Sequence, residues 1–464
     1  MRTPVANVDT AWLRMDDPTN LMVVTGLMVL DEPVSFDGAR RMLERSLLRF
    51  SRFRQRIVDP PGGVGTPYWE TDEHFTLDNH LTEVDLPPPG DERALQALVS
   101  SLMSQPLNPA QPLWHYYLVP HYAGGSALIA RIHHCIGDGL GLIYVMLSMA
   151  DDGPQPPPLA EEHEDANHGS PWDVLGHTIA SAANTAVSLP LALVRRLNEL
   201  VGDPEKLAQA TDQMTAGAGA LAKLLLMESD PKTAFKGPLV AEKKVAWSRP
   251  IAVSELKLIG KATGSTINDI LTSSLSGALR RYLLSRGERL HEDLNVRGVV
   301  PVNLRPIEKA HELGNQFGLV FLALPLGIED PLDRLFEVRR RMTAIKHSPE
   351  AYVAFQILKG LGVAPKQIFD LIVNEFGRKA TAVVTNVVGP RRPIAIAGAP
   401  MRQAMFWVPC SGRLGLGISL LSYAGEVWLG VQADVSLVPD PERLLEGFHA
   451  EIADLTQLRK QAGT

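Results

Sequence analysis

Only two cysteines, Cys135 and Cys410, occur in 464 residues, which argues against a disulfide framework and fits a reducing compartment. No apolar run approaches the roughly 20 residues that a bilayer-spanning helix needs. The opening stretch, residues 1–9, has neither the charged nor the apolar region of a signal peptide. Lys and Arg number 45 against 52 Asp and Glu, a net charge of −7 with no basic block, so nucleic acid is not an expected partner. The chain also lacks a GxSxG nucleophile elbow and a separate His, Cys or Glu cluster, so neither a serine-type acyl-enzyme nor a metal is expected. These absences place the protein in the cytoplasm as an expectation, with peripheral contact to the inner membrane surface or to lipid inclusions left open.

Ordinary globular composition remains, 45% hydrophobic and 21% charged, in a chain long enough for two cores. Asp151-Asp152-Gly153-Pro154 and the Pro-rich, acidic stretch to residue 165 cannot build a core and read as a boundary. The expected organisation is a first domain over 1–150, a linker with bridging helices over 151–240, and a second domain over 241–464. Helix-like segments over 174–200 and 204–227 carry two readings, a helical pair packed on the body or a lipid-facing element. Strands are expected over 21–30, 52–58, from 68, 114–120 and 126–132, then over 243–247, 295–302, 319–325, 382–388, 414–422 and 426–433. Helices are expected from 35 to about 50 and over 91–103, 253–263 and 268–284, and from the Asp440-Pro441 start to about 458. Mixed strands and helices with turn signals between them indicate an α/β layered fold.

The most informative segment is Ile132-His133-His134-Cys135-Ile136-Gly137-Asp138-Gly139, an HHxxxDG pattern between an apolar run of strand length and one of helical length. Two histidines therefore sit where a strand hands over to a helix. Adjacent residues there face opposite ways, so one imidazole serves a given cleft and both cannot bind one ion. An imidazole held in a buried loop suits general-base activation of a hydroxyl. Asp138 can turn back to hold the loop, and Gly137 and Gly139 allow a tight path. Cys135 lies inside the pattern and reads as a packed side chain.

This pattern resembles the active-site motif of the CoA-dependent acyltransferase superfamily. Gln111-Pro112-Leu113-Trp114, Ser265-Thr266-Ile267-Asn268-Asp269, Pro301-Val302-Asn303-Leu304-Arg305, Gly314-Asn315-Gln316-Phe317-Gly318 and Thr385-Asn386-Val387-Val388-Gly389-Pro390 narrow the resemblance. Together, in this order and over nearly the whole chain, they resemble the bacterial wax ester synthase/diacylglycerol acyltransferase family. The resemblance implies two chloramphenicol-acetyltransferase-like subdomains, each a mixed sheet with helices, facing each other across a central channel. It implies acyl transfer from acyl-CoA, a co-substrate rather than a cofactor, to a long-chain alcohol or diacylglycerol, with no covalent acyl-enzyme. An acceptor other than a lipid, or an inactive lipid-binding protein on the same scaffold, are the alternatives.

By the same resemblance His134 is the general base, His133 is directed away from the channel, Asp138 pairs with an arginine, and Gly139 keeps the approach to the base open. Asn268 has two readings, a donor to the developing oxyanion or the N-cap of the following helix. Asp269 is read as a turn residue and Pro112 and Trp114 as core packing, with substrate contact as the other reading of all three. Asn303, Arg305, Asn315 and the Asn386–Pro390 segment with Gly389 could border the CoA side, Arg305 equally forming a structural salt bridge. Asn20-Leu21-Met22-Val23-Val24 stands where family members carry Pro-Met-His, so acceptor preference does not transfer from them.

Overall fold

A computed structural model describes residues 2–60, 65–153, 224, 227–306, 309–346, 348–410 and 412–462. The helix-like segments over 174–200 and 204–227 lie outside the described residues, apart from 224 and 227.

The first half runs β1 (Arg2–Pro4), α1 (Asn7–Met15), β2 (Val23–Leu30), α2 (Phe36–Ser46), β3 (Gln55–Val58), β4 (Tyr68–Thr71), β5 (Leu81–Glu83), α3 (Glu92–Met103), β6 (Trp114–Tyr122), β7 (Gly125–His133) and α4 (Gly139–Met149). The second runs β8 (Lys243–Trp247), β9 (Ile251–Ala252), α5 (Val253–Thr263), α6 (Ile267–Ser285), β10 (Asn295–Asn303), β11 (Phe317–Pro325), α7 (Pro331–Lys346), α8 (Glu350–Leu361) and α9 (Lys366–Arg378). It continues through β12 (Ala382–Val388), β13 (Ala395–Ile396), β14 (Ala399–Trp407), β15 (Leu416–Tyr423), β16 (Glu426–Asp434) and α10 (Glu442–Ala462).

Two mixed sheets organise these elements. One has the order β13-β14-β2-β7-β6-β5, the other β11-β10-β12-β15-β16-β8 with β9 also on β16. The near-continuous apolar run of β7 is explained by its central place, paired antiparallel to β2 and to β6 and buried along its whole length. Every strand read from the sequence is present except in one respect. The alternating Arg52, Arg54 and Arg56 do not begin a strand: Ser51–Arg54 is a 3-10 turn that buries Phe53, and β3 starts only at Gln55. Likewise the helix expected to reach residue 50 ends at Ser46 and tightens into a 3-10 turn over Leu47–Arg49.

The halves are not separated as the sequence order suggests. β13 and β14, which fall within 241–464, complete the first half's sheet, β14 pairing antiparallel with β2. A small apolar cluster also joins the halves, with Val8, Trp12 and Met15 of α1 and Met22 packing on Phe317, Leu358, Leu361 and Phe369. That cluster positions the site.

Candidate active site

Strand pairing sets the direction of both histidines. His133 ends β7 opposite Val23, and the His134 N–H donates to the Met22 carbonyl at 2.7 Å, so the pair continues the sheet edge. His133 points to one side, its Nδ1 accepting from the Cys135 N–H at 3.1 Å and its Nε2 lying 3.8 Å from Asp16 Oδ1. An Nδ1 that accepts cannot carry the proton, and burial pushes the His133 pKa down to about 3, so the ring is neutral with Nε2–H toward Asp16. No charged pair exists there at neutral pH.

His134 points the other way. Its ring stacks on Trp12 at 4.5 Å with 13° between the planes, and Phe317 lies 5.5 Å off at a tilt. Burial lowers the His134 pKa, opposed by its own carbonyl oxygen, by Asp138 and by the Asn315 side chain, so the imidazole is neutral and basic at neutral pH. Nδ1 is buried without a full hydrogen bond, and the groups beside it accept rather than donate.

The loop is held by Asp138. Its Oδ1 accepts from the Gly141 N–H at 3.0 Å, capping α4, and its Oδ2 accepts from Arg305 Nη2 at 3.2 Å and from the Gln316 N–H at 2.9 Å. Arg305 Nη2 also donates to the Gly314 carbonyl at 2.7 Å. The two halves are further stitched where the Gly314 N–H donates to the Ile136 carbonyl at 2.9 Å and the Asp138 N–H to the Gly314 carbonyl at 3.2 Å. Gly314 has φ +102, which explains glycine at that crossing. Gly137 and Gly139 do not take the left-handed conformation. At Gly139 a Cβ would meet nothing within 4 Å, so packing does not demand glycine there.

Arg305 is thus a buried ion-pair partner of the motif aspartate, not an exposed phosphate contact. Asn268 is not the N-cap of α6. Thr266 caps it, accepting from the Asp269 N–H at 3.2 Å while Asp269 Oδ2 accepts from the Thr266 N–H at 2.8 Å. Asp269 is therefore occupied within the helix start. Asn268 is brought beside Asn386, whose Nδ2 donates to Asn268 Oδ1 at 2.8 Å. Asn303 spends both side-chain atoms on the backbone of Arg305, and the Gly389 N–H donates to the Ser422 carbonyl at 2.9 Å. Trp114 is core, with Nε1 donating to the Phe53 carbonyl at 2.9 Å and its ring stacked on His80, and Pro112 is buried beside it. The buried Cys135 thiol has its pKa raised well above the ordinary value, which closes a nucleophilic role. Among the described residues no group of three or more His, Cys, Asp or Glu could hold a metal ion.

Three contributors were not read from the sequence. Trp12 and Phe317 pack on the base and Asp9 reaches it through Asn315, and only the helical spacing of Asp9 and Trp12 with Val8 and Met15 could have signalled the first-half pair. Trp12 also lines an apolar cavity of about 60 Å³, with Met15, Val299, Phe321, Ala354, Leu361 and Phe376 among the other lining residues.

A family model described as the wax ester synthase/diacylglycerol acyltransferase catalytic domain matches residues 5–271, and one described as the WS/DGAT C-terminal domain matches 313–456. A Mycobacterium tuberculosis protein named as a diacylglycerol O-acyltransferase is 26% identical, over 98% of this chain and 96% of its own length. The solved wax ester synthase/diacylglycerol acyltransferase of Marinobacter aquaeolei superposes with a TM-score of 0.66 at 22% identity, over 99% of this chain and 100% of that one. The first condensation domain of the calcium-dependent antibiotic synthetase reaches 0.61 at 15% identity, over 99% and 96%. At those identities the two structures speak for the fold.

Proposed function

Because the chain belongs to the wax ester synthase/diacylglycerol acyltransferase family and is an acyltransferase, we propose that it moves a fatty acyl group from acyl-CoA to the hydroxyl of a long-chain alcohol or of diacylglycerol. The observation that carries this reading is a buried His134 stacked on Trp12, a residue that also lines an apolar cavity. His134 Nε2 takes the hydroxyl proton as the oxygen attacks the thioester carbonyl. The C–O bond forms, the C–S bond breaks, and Nε2 returns the proton to the CoA thiolate. Asn268, its Oδ1 already engaged by Asn386, has amide N–H groups to give to the oxyanion. The cavity takes the end of a hydrocarbon chain. The ester product is a lipid while the released CoA is water-soluble, so the work is done where a lipid surface meets water. No described helix is long and apolar enough to cross a membrane.

Purified protein given palmitoyl-CoA with hexadecanol or with dipalmitoylglycerol is expected to release CoA thiol and form the matching ester. Thiol release only with a non-lipid hydroxyl, or binding of lipid without turnover, would replace this reading. Ala354→Phe fills the cavity, and is expected to lower kcat/KM for palmitoyl-CoA about tenfold while sparing octanoyl-CoA. Equal losses on both donors would remove the chain from this cavity.

A further inference from the structure

The base has a second layer of support that begins on α1. Asp9 is buried, and its Oδ1 accepts from Asn315 twice, from the backbone N–H at 3.0 Å and from Nδ2 at 2.7 Å. The same Nδ2 donates its other hydrogen to the His134 carbonyl at 2.7 Å. A carboxylate and a carbonyl can only accept, so both amide hydrogens of Asn315 are committed and the amide cannot turn over. Its Oδ1 is left as a buried acceptor without a hydrogen bond, in the same state as the buried Nδ1 of His134. One helical turn beyond Asp9, Trp12 stacks on the imidazole, so a single helix face governs both the backbone and the ring of the base.

We propose that Asp9 is a positioning residue for the base, acting through Asn315. It fixes the His134 carbonyl and holds the Asn315 amide oxygen ready for the Nδ1–H that gains positive character when Nε2 takes a proton. The arrangement has the logic of a base oriented by a third group, with an amide between the carboxylate and the imidazole. Burial raises the Asp9 pKa to about 6, opposed by the Asn315 hydrogen bonds and Arg52 and reinforced by Asp138, so the carboxylate is mostly ionised at neutral pH. The inference rests on His134 as the base.

The test measures kcat and KM for Asp9→Ala, Asp9→Asn, Asn315→Ala and the Asp9→Ala/Asn315→Ala double variant, with His134→Ala in the same assay. Asp9→Ala is expected to lower kcat about 10- to 100-fold, with KM kept within about twofold. Asp9→Asn keeps an acceptor oxygen for Asn315 and is expected to restore most of kcat. The double variant should be no slower than the slower single, because the two residues act as one chain. An unchanged kcat in folded Asp9→Ala, no rescue by Asp9→Asn, or additive losses would overturn the inference. Should Asp9→Ala not fold, Asn315→Ala against Asp9→Asn decides it, an unchanged kcat in Asn315→Ala overturning the inference. Full activity in His134→Ala would instead overturn the reading beneath it.

Discussion

Replacing His134 with Ala is expected to lower kcat for acyl transfer about 10²- to 10⁴-fold, the usual worth of a positioned general base. The geometry makes the loss specific to chemistry. His133 cannot substitute, because its Nδ1 is occupied by the Cys135 N–H and its ring faces Asp16 on the other side of the loop. Cys135 cannot substitute either, with its thiol buried and its pKa raised. The Met22 contact that seats position 134 is made by the backbone and survives the substitution. Folding, read by circular dichroism, and KM are therefore expected to change little. A His134→Ala protein with wild-type kcat would leave the motif without a catalytic role.

The second large effect is on stability. Arg305→Ala is expected to cost about 3–5 kcal/mol, because it leaves the buried Asp138 carboxylate without its counter-charge. Both side chains are almost wholly inaccessible, so solvent does not repair the loss. The damage should be local to the seam between the halves, since Arg305 also donates to the Gly314 carbonyl beside Asn315. Asp138→Asn is expected to cost less, as its Oδ1 still caps α4 through the Gly141 N–H. Chemical denaturation of the two variants checks both magnitudes. An Arg305→Ala midpoint equal to wild type would mean that the pair is not what holds the loop.

Much of the site was legible because its signals are local. A strand-length apolar run, two histidines and a capping aspartate lie within fourteen residues of sequence, and β7, the loop and α4 follow that order. The Asp138 pairing with an arginine was implied by resemblance, and the structure identifies the arginine as Arg305. What could not be read depends on distant contacts. α1 starts at Asn7 with Ala6 at its N-cap and no side-chain cap, so no start signal marks it, although it carries Asp9 and Trp12. α7, α8 and α9 went unassigned beside clearer neighbours. β14 was not read as a strand, and its pairing with β2 across hundreds of residues leaves no local trace. Arg52 and Arg54 show the opposite error, a period of two that precedes the strand, which takes in only Arg56. The side chain of Arg52 lies over the Trp69 ring at 4.4 Å instead. Of the two readings of Asn268 the cap falls away, since Thr266 and Asp269 satisfy the helix start between them.

The central claim is direct, His134-assisted transfer to a lipid hydroxyl, and rapid mixing of the protein with stoichiometric palmitoyl-CoA tests it most directly. Thiol release is followed with hexadecanol, with dipalmitoylglycerol and with neither. No thiol burst is expected without an acceptor, and release matched by ester is expected when the preferred acceptor is present. A stoichiometric burst without acceptor would establish an acyl-enzyme, and silence with both acceptors would remove the lipid hydroxyl; either result would contradict the account.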